Sequence, residues 1–144
     1  MMDFTGKVFI VTGASSGIGL SCAEQIIALG GRVIGVDKNA TDVDNDAFEY
    51  SVISVTDEQA VENLVNTVTD KYGHIDGLVN AAGIWGSSKP FYEMDSEAFQ
   101  NVLDVNTKGM FLMSKYVART MIPQKRGKIV NISCIRASIF RNNM

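Results

Sequence analysis

The sequence predicts an α/β fold, an open parallel sheet with helices wound on both faces. Three observations carry that reading. Short β-branched runs alternate along the chain with longer amphipathic segments. The runs lack apolar–polar alternation, which suits strands buried on both faces. The first of them, Val8–Val11, breaks into Thr12–Gly13–Ala14–Ser15–Ser16–Gly17–Ile18–Gly19 and opens directly into a helix. The resulting order is β-α-β-β-α-β-α-α-β, and 144 residues of this composition make one domain, 1–144, with a real core.

The glycine turn has a chemistry. Gly13 allows a tight turn, Gly17 lets the backbone approach a pyrophosphate, and Gly19 lets the helix pack on the strand. The helix start then offers unpaired N–H groups and a positive dipole end to phosphates. No Lys-Ser/Thr pair follows Gly19, so this is not a kinase-type phosphate loop. The helix is expected to present Ile18, Cys22, Ile26 and Leu29 on one face and to end at Gly30–Gly31.

Arg32–Asp37 reads as the second strand, ending in an acid. Its distance from Gly13 is close to where a dinucleotide fold sets a carboxylate on the adenosine ribose. A carboxylate there accepts bonds from the ribose hydroxyls of NAD and repels the 2′-phosphate of NADP. An ordinary turn acid has the same composition, and Lys38 beside it could attract that phosphate. NAD is therefore favoured over NADP.

Residues 38–47 are polar and too few for more than one helical turn. Phe48–Ser54 is the third strand, and Thr56 starts a capped helix that buries Val61, Leu64, Val65 and Val68 before Gly73 closes it. His74 reads as a surface turn residue. Ile75–Asn80 is the fourth strand, and the small residues Ala81–Ala82–Gly83 suit a flat ligand over its end. Residues 84–94 form a loop with the lone Trp85, for which core or interface packing is expected over substrate contact. Asp95 caps a helix carrying Ala98, Phe99, Val102 and Leu103. After Asp104–Val105–Asn106 a helix from Gly109 to Ile122, stopped by Pro123, is apolar on several sides. The segments 95–105 and 107–122 are the expected subunit interface of a homo-oligomer. A solvated basic turn at 124–127 leads to the fifth strand, Lys128–Ser133.

Composition narrows the function classes. A net charge of −3 gives no reason to expect nucleic acid or an anionic membrane as partner. Cys22 and Cys134 are too few and too far apart for a disulfide framework or a metal site, and read as reduced thiols. No secretory signal opens the chain, and no apolar stretch nears the about 18 residues of a membrane span. A cytoplasmic protein is expected.

Four motifs, in order and at family spacing, make the chain resemble the short-chain dehydrogenase/reductase family. Thr12–Gly19 resembles its TGxxxGxG cofactor loop. Asp76–Gly83, DGLVNAAG, resembles its DxxVNNAG segment, with Ala81 in place of the second Asn. Asn106–Thr107–Lys108–Gly109 resembles its NxxG helix kink, and Gly127–Cys134 the strand that ends in the catalytic serine. The resemblance implies a Rossmann-type doubly wound parallel sheet, five strands in the order 3-2-1-4-5 and truncated after the fifth. It also implies a nicotinamide cofactor and hydride transfer between a secondary alcohol and its ketone. Carried over, Ser15, Ser16, Gly17, Ile18 and Gly19 would contact phosphates and ribose, and Asn80, Ala81, Ala82 and Gly83 the nicotinamide ribose. Val55 would meet the adenine. Ser54 stands where the family has Asp and weakens one adenine contact. Asn106 would hold the water of a proton relay.

Two departures bear on activity. The catalytic serine position is Cys134, whose thiol is a poor hydrogen-bond donor. Ser133 is expected on the strand's other side, and a small buried residue is an equally good reading of Cys134. The family's acid/base is a Tyr followed four residues on by a Lys that lowers its pKa. Tyr50, Tyr72, Tyr92 and Tyr116 are followed at that spacing by Ser54, Asp76, Ser96 and Thr120, and the motif's expected place lies just past Met144. The chain is thus expected to be incomplete relative to the family and inactive alone. The alternative is a non-catalytic protein that binds nucleotide or oligomerises. A narrower similarity rests on the short link after Asp37, on VNAAG, and on Arg141 and Met144 after Cys134. It is to the branch that oxidises dihydrodihydroxybenzoate, a cyclic diol, with NAD.

Overall fold

A computed structural model describes residues 2–86 and 89–134. Strands β1 (Val8–Thr12), β2 (Arg32–Asp37), β3 (Phe48–Val52), β4 (Gly77–Asn80) and β5 (Lys128–Asn131) form one sheet in the order β3-β2-β1-β4-β5. Every pairing is parallel. The expected doubly wound sheet and its strand order are the ones found. Register aligns Thr12 with Val36 and Asn80, and Asn80 with Asn131, so the carboxyl ends of four strands stand in one row.

Alternation along β1 divides the core. Val8 and Ile10 face one layer with Ile34, Val36 and Leu78, covered by helices α2 (Glu58–Tyr72) and α4 (Met110–Gln124). Phe9 and Val11 face the other layer with Val33 and Phe48, covered by α1 (Gly17–Ala28). Ile10, Val11, Val33 and Val36 are fully buried, each contributing about 1.5–3 kcal/mol relative to exposure. The strands are apolar on both faces because both faces are roofed.

Helix α2 buries the four predicted residues and ends on Gly73 at φ 75°. Its cap is Asp57, one residue later than expected, and the Asp57 carboxylate accepts from Ala60 N. Helix α1 is rotated from its predicted stripe: Gly19, Ala23 and Ile26 are buried, and Ile18 is exposed. The close seat of Gly19 against β1 sets that rotation, since the residue nearest the strand must be the one without a side chain. Strands β3, β4 and β5 are each two residues shorter than expected at one end.

Helix α3 (Ser96–Leu103) runs through a π-helical stretch, Asp104–Gly109, into α4. Gly109 permits the passage, because a Cβ there would meet Val55 Cγ2 at 2.5 Å. Pro123 does not stop α4. It sits in the last turn, and the helix ends where Lys125 turns left-handed at φ 54°. His74 is no free surface residue: Nδ1 lies 2.9 Å from the Tyr72 carbonyl, and Nε2 3.2 Å from Asp76. Trp85 is 61 % exposed and so is not part of this chain's core. Arg141 and Met144 lie outside the described residues. Among the described residues, no helix is long and apolar enough to cross a membrane.

Candidate functional site

At the carboxyl ends of β1, β2 and β4 the chain leaves a cleft of about 380 Å³. Thr12 builds its floor. Its buried Oγ1 accepts from both Ala81 N and Ala82 N at 3.0 Å, tying the turn after β4 to the end of β1. A Cβ on Gly13 (φ 69°) would lie 2.9 Å from the backbone of Ala81 and Ala82, so only glycine allows this approach. A Cβ on Gly19 would run into the Gly13 carbonyl. Gly17, at φ 55°, faces open space. The first turn of α1 has no acidic residue, and its N-cap Ser16 makes no side-chain cap bond. No side chain of the helix itself therefore offsets the positive end of α1 at the cleft, an arrangement that accepts a phosphate.

Asp37 closes the β2 side. Its Oδ2 accepts from Ser15 Oγ at 2.8 Å and Ser15 N at 3.3 Å. Its Oδ1 accepts from Asn39 N at 3.0 Å and Asn39 Nδ2 at 3.2 Å. Burial pushes the carboxyl pKa up, but these bonds outweigh it and hold the group below the ordinary carboxylate value. Tyr50, on β3, donates its hydroxyl to the Asn39 carbonyl at 2.7 Å. Burial, then the Asp37 charge, raises the Tyr50 pKa.

The cleft brings together Gly13, Ser15–Gly19, Asp37, Ser54, Val55, and Ala81–Gly83. It also includes Asn39, Ile53, Ile84 and Val105, which the sequence reading did not single out. Asn39 could have been found from its place two residues after a strand-end acid, the spacing at which a backbone N–H returns to an Asp side chain. Asn80 is elsewhere. It is buried beneath the cleft and donates Nδ2 to Ser114 Oγ at 3.1 Å and Asn131 Oδ1 at 2.9 Å, joining β4 to α4 and β5. The expected place for Asn80 on the nicotinamide ribose is therefore not the one its side chain takes.

Asn106 stands in the π-helical stretch with its amide engaged on one residue. Oδ1 accepts from Ile84 N at 2.8 Å and Nδ2 donates to Ile84 O at 3.0 Å. Each amide atom keeps one further position for a water, a lone pair on Oδ1 and a hydrogen on Nδ2. Cys134 is exposed, not buried. Strand β5 ends at Asn131, so Ser133 and Cys134 both lie beyond the alternation expected to separate them, and both are exposed. Among the described residues, no group of three or more His, Cys, Asp and Glu could hold a metal ion.

Comparisons with known proteins place this geometry. The family model described as short chain dehydrogenase matches residues 7–143. An uncharacterized oxidoreductase of Staphylococcus saprophyticus is 38 % identical over 145 residues, covering 94 % of this chain and 62 % of the relative. The sorbitol-6-phosphate 2-dehydrogenase of Klebsiella pneumoniae is 32 % identical, covering 92 % of this chain and 53 % of the relative. The structure of a short chain dehydrogenase from Leptospira borgpetersenii with bound NAD+ superposes with a TM-score of 0.89 at 29 % identity, covering 96 % of this chain and 56 % of that one. The chain thus spans 53–62 % of the length of these curated relatives.

Proposed function

Because the chain belongs to the short-chain dehydrogenase family, we propose that residues 1–144 form the NAD site of a dehydrogenase that interconverts a secondary alcohol and its ketone. The residues fit the cofactor. The side-chain-free cradle of Gly13, Gly17 and Gly19 would hold the pyrophosphate against the start of α1. Asp37, an acceptor-only carboxylate, would take the adenosine ribose and disfavour a 2′-phosphate, with Val55 and Ser54 beside the adenine. Ala81, Ala82 and Gly83 would line the inner wall toward the nicotinamide. The nicotinamide, when bound, carries the hydride, while the protein supplies position and proton transfer.

The observation that carries the reading is one cleft lined together by the Asp37 carboxylate, the glycine turn and the start of α1. Proton transfer is a different matter. No tyrosine of this sequence has a lysine four residues on, and Cys134 is a weaker donor than a serine to polarise a carbonyl. The 144 residues bind the dinucleotide and do not turn over alone. A secondary alcohol is the substrate class of this dehydrogenase, and the cytoplasm its place. The exposed Phe99, Leu103, Phe111 and Ile122 of α3 and α4 would meet a second copy.

The test is a calorimetric titration of the folded chain with NAD and with NADP, followed by an assay of NAD reduction against a panel of secondary alcohols. NAD should bind more tightly than NADP, with no turnover. A folded chain that binds neither dinucleotide overturns the site, and turnover by this chain overturns the account of its missing acid/base.

A further inference from the structure

The four hydrogen bonds on Asp37 have a consequence for binding. An ionised carboxylate offers about four lone-pair positions. Here all four are taken by the chain itself, two on each oxygen: Ser15 N and Oγ on Oδ2, Asn39 N and Nδ2 on Oδ1. The backbone donors are fixed by the turn after β1 and the turn after β2. The other two sit on side chains that can rotate away. One side-chain donor on each oxygen is also the pattern a vicinal diol makes when a carboxylate grips both its hydroxyls.

We propose that the Ser15 hydroxyl and the Asn39 amide are placeholders. They occupy the two oxygens of Asp37 in the free protein and exchange, one for one, with the two hydroxyls of a ribose cis-diol. The proposal rests on the reading of Asp37 as the ribose ligand. Each displaced group has somewhere to go. Asn39 is exposed, so its amide turns to water. Ser15 lines the open cleft, so its hydroxyl turns there to water or to the bound ligand. The backbone N–H groups stay on Asp37 throughout, so the carboxylate remains ionised and aimed while its partners change.

The arrangement separates Asn39 from a residue that merely supports the loop. A supporting residue weakens every ligand when lost. A placeholder competes, and its loss strengthens the ligands that use the cis-diol. Asn39→Ala keeps the backbone donor and removes one competing bond, whose net worth lies in the lower part of the ordinary range. NAD should therefore bind about two- to five-fold more tightly.

The experiment titrates the full 144-residue chain, Asn39→Ala and Asp37→Ala with NAD, AMP and 2′,3′-dideoxy-AMP, following each by calorimetry. The expected result is a gain for Asn39→Ala with NAD and AMP and none with 2′,3′-dideoxy-AMP, and a loss of NAD affinity for Asp37→Ala. If Asp37→Ala binds NAD as the unaltered chain does, the ribose reading fails and takes this proposal with it. If Asp37→Ala weakens NAD but Asn39→Ala leaves it unchanged or weakens it, the ribose reading stands and the exchange alone is overturned. An equal gain with 2′,3′-dideoxy-AMP overturns it as well, because a ribose without hydroxyls has nothing to exchange for the amide.

Discussion

The two sides of the sheet share one parallel ladder and differ in what covers them. Around β1 and β2 the side chains Ile10, Val11, Val33 and Val36 are sealed between α1 on one face and α2 and α4 on the other. Strand β5 pairs with β4 in the same regular register, yet all four of its residues are exposed, Val130 by 49 %. Ladder hydrogen bonds place a strand; apolar cover makes it rigid. The cleft proposed to take the dinucleotide stands on the covered side, at the ends of β1, β2 and β4. Cys134, at the position the family gives its catalytic serine, stands on the bare side. Under the proposed function, binding falls on the covered part of the sheet and the family's serine position on the bare part.

The sharpest break in that comparison comes from filling the cradle. In Gly19→Ala the new methyl meets the Gly13 carbonyl and the Thr12 carbonyl, both backbone atoms of the covered side with nowhere to shift. A loss of about 3 kcal/mol in folding stability is expected, at the upper part of the range for overpacking, together with loss of NAD binding. Urea unfolding and the NAD titration measure the two effects. A stable variant that still binds NAD would show that α1 can move off β1, and the covered side would no longer be rigid.

The glycine turn, the acid ending β2 and the small residues after β4 were legible in the sequence because each answers a backbone constraint that few residues satisfy. The same holds for the α2 stripe, where period and burial coincide residue for residue. Features set by contact across elements were not legible. Asn80 reads as a cleft residue by motif, but register sets it beside Asn131, and its amide turns there. Ile18 reads as core by period, but the approach of Gly19 rotates the helix away from it. Asn106 was found by spacing, yet its engagement on Ile84 depends on the π-helical stretch, which no local propensity announces. The exposure of Cys134 follows from where β5 ends, two residues before the predicted end at Ser133.

Asn80 marks the border between the two sides, and its loss should divide them. Asn80→Ala removes the donors to Ser114 and Asn131 and also the Asn80 Oδ1 that is buried without a partner. The gain from removing that oxygen offsets part of the loss, so a net cost of about 1 kcal/mol is expected. The effect should be local. Amide exchange should accelerate in β5 and remain unchanged in β1 and β2, with NAD affinity preserved because the cleft is lined by Ala81–Gly83. Uniform acceleration across the sheet would mean that β5 opens with the rest and that the two sides form one cooperative unit.

The smallest effect belongs to the bare strand itself, and one residue type measured on both sides isolates it. Val33 and Val130 occupy parallel strands of the same sheet, the first with no exposure and the second half exposed. Val→Thr keeps shape and strand preference and exchanges a methyl for a hydroxyl. In Val33→Thr that hydroxyl enters a sealed apolar layer, at a cost of about 1–3 kcal/mol. In Val130→Thr it stays in water, and the change should lie within about 0.5 kcal/mol of zero. Denaturant midpoints of the two variants make the comparison directly. If Val130→Thr costs as much as Val33→Thr, the β5 face is covered in solution, and a concentration dependence of that midpoint would identify a second copy of the chain as its cover.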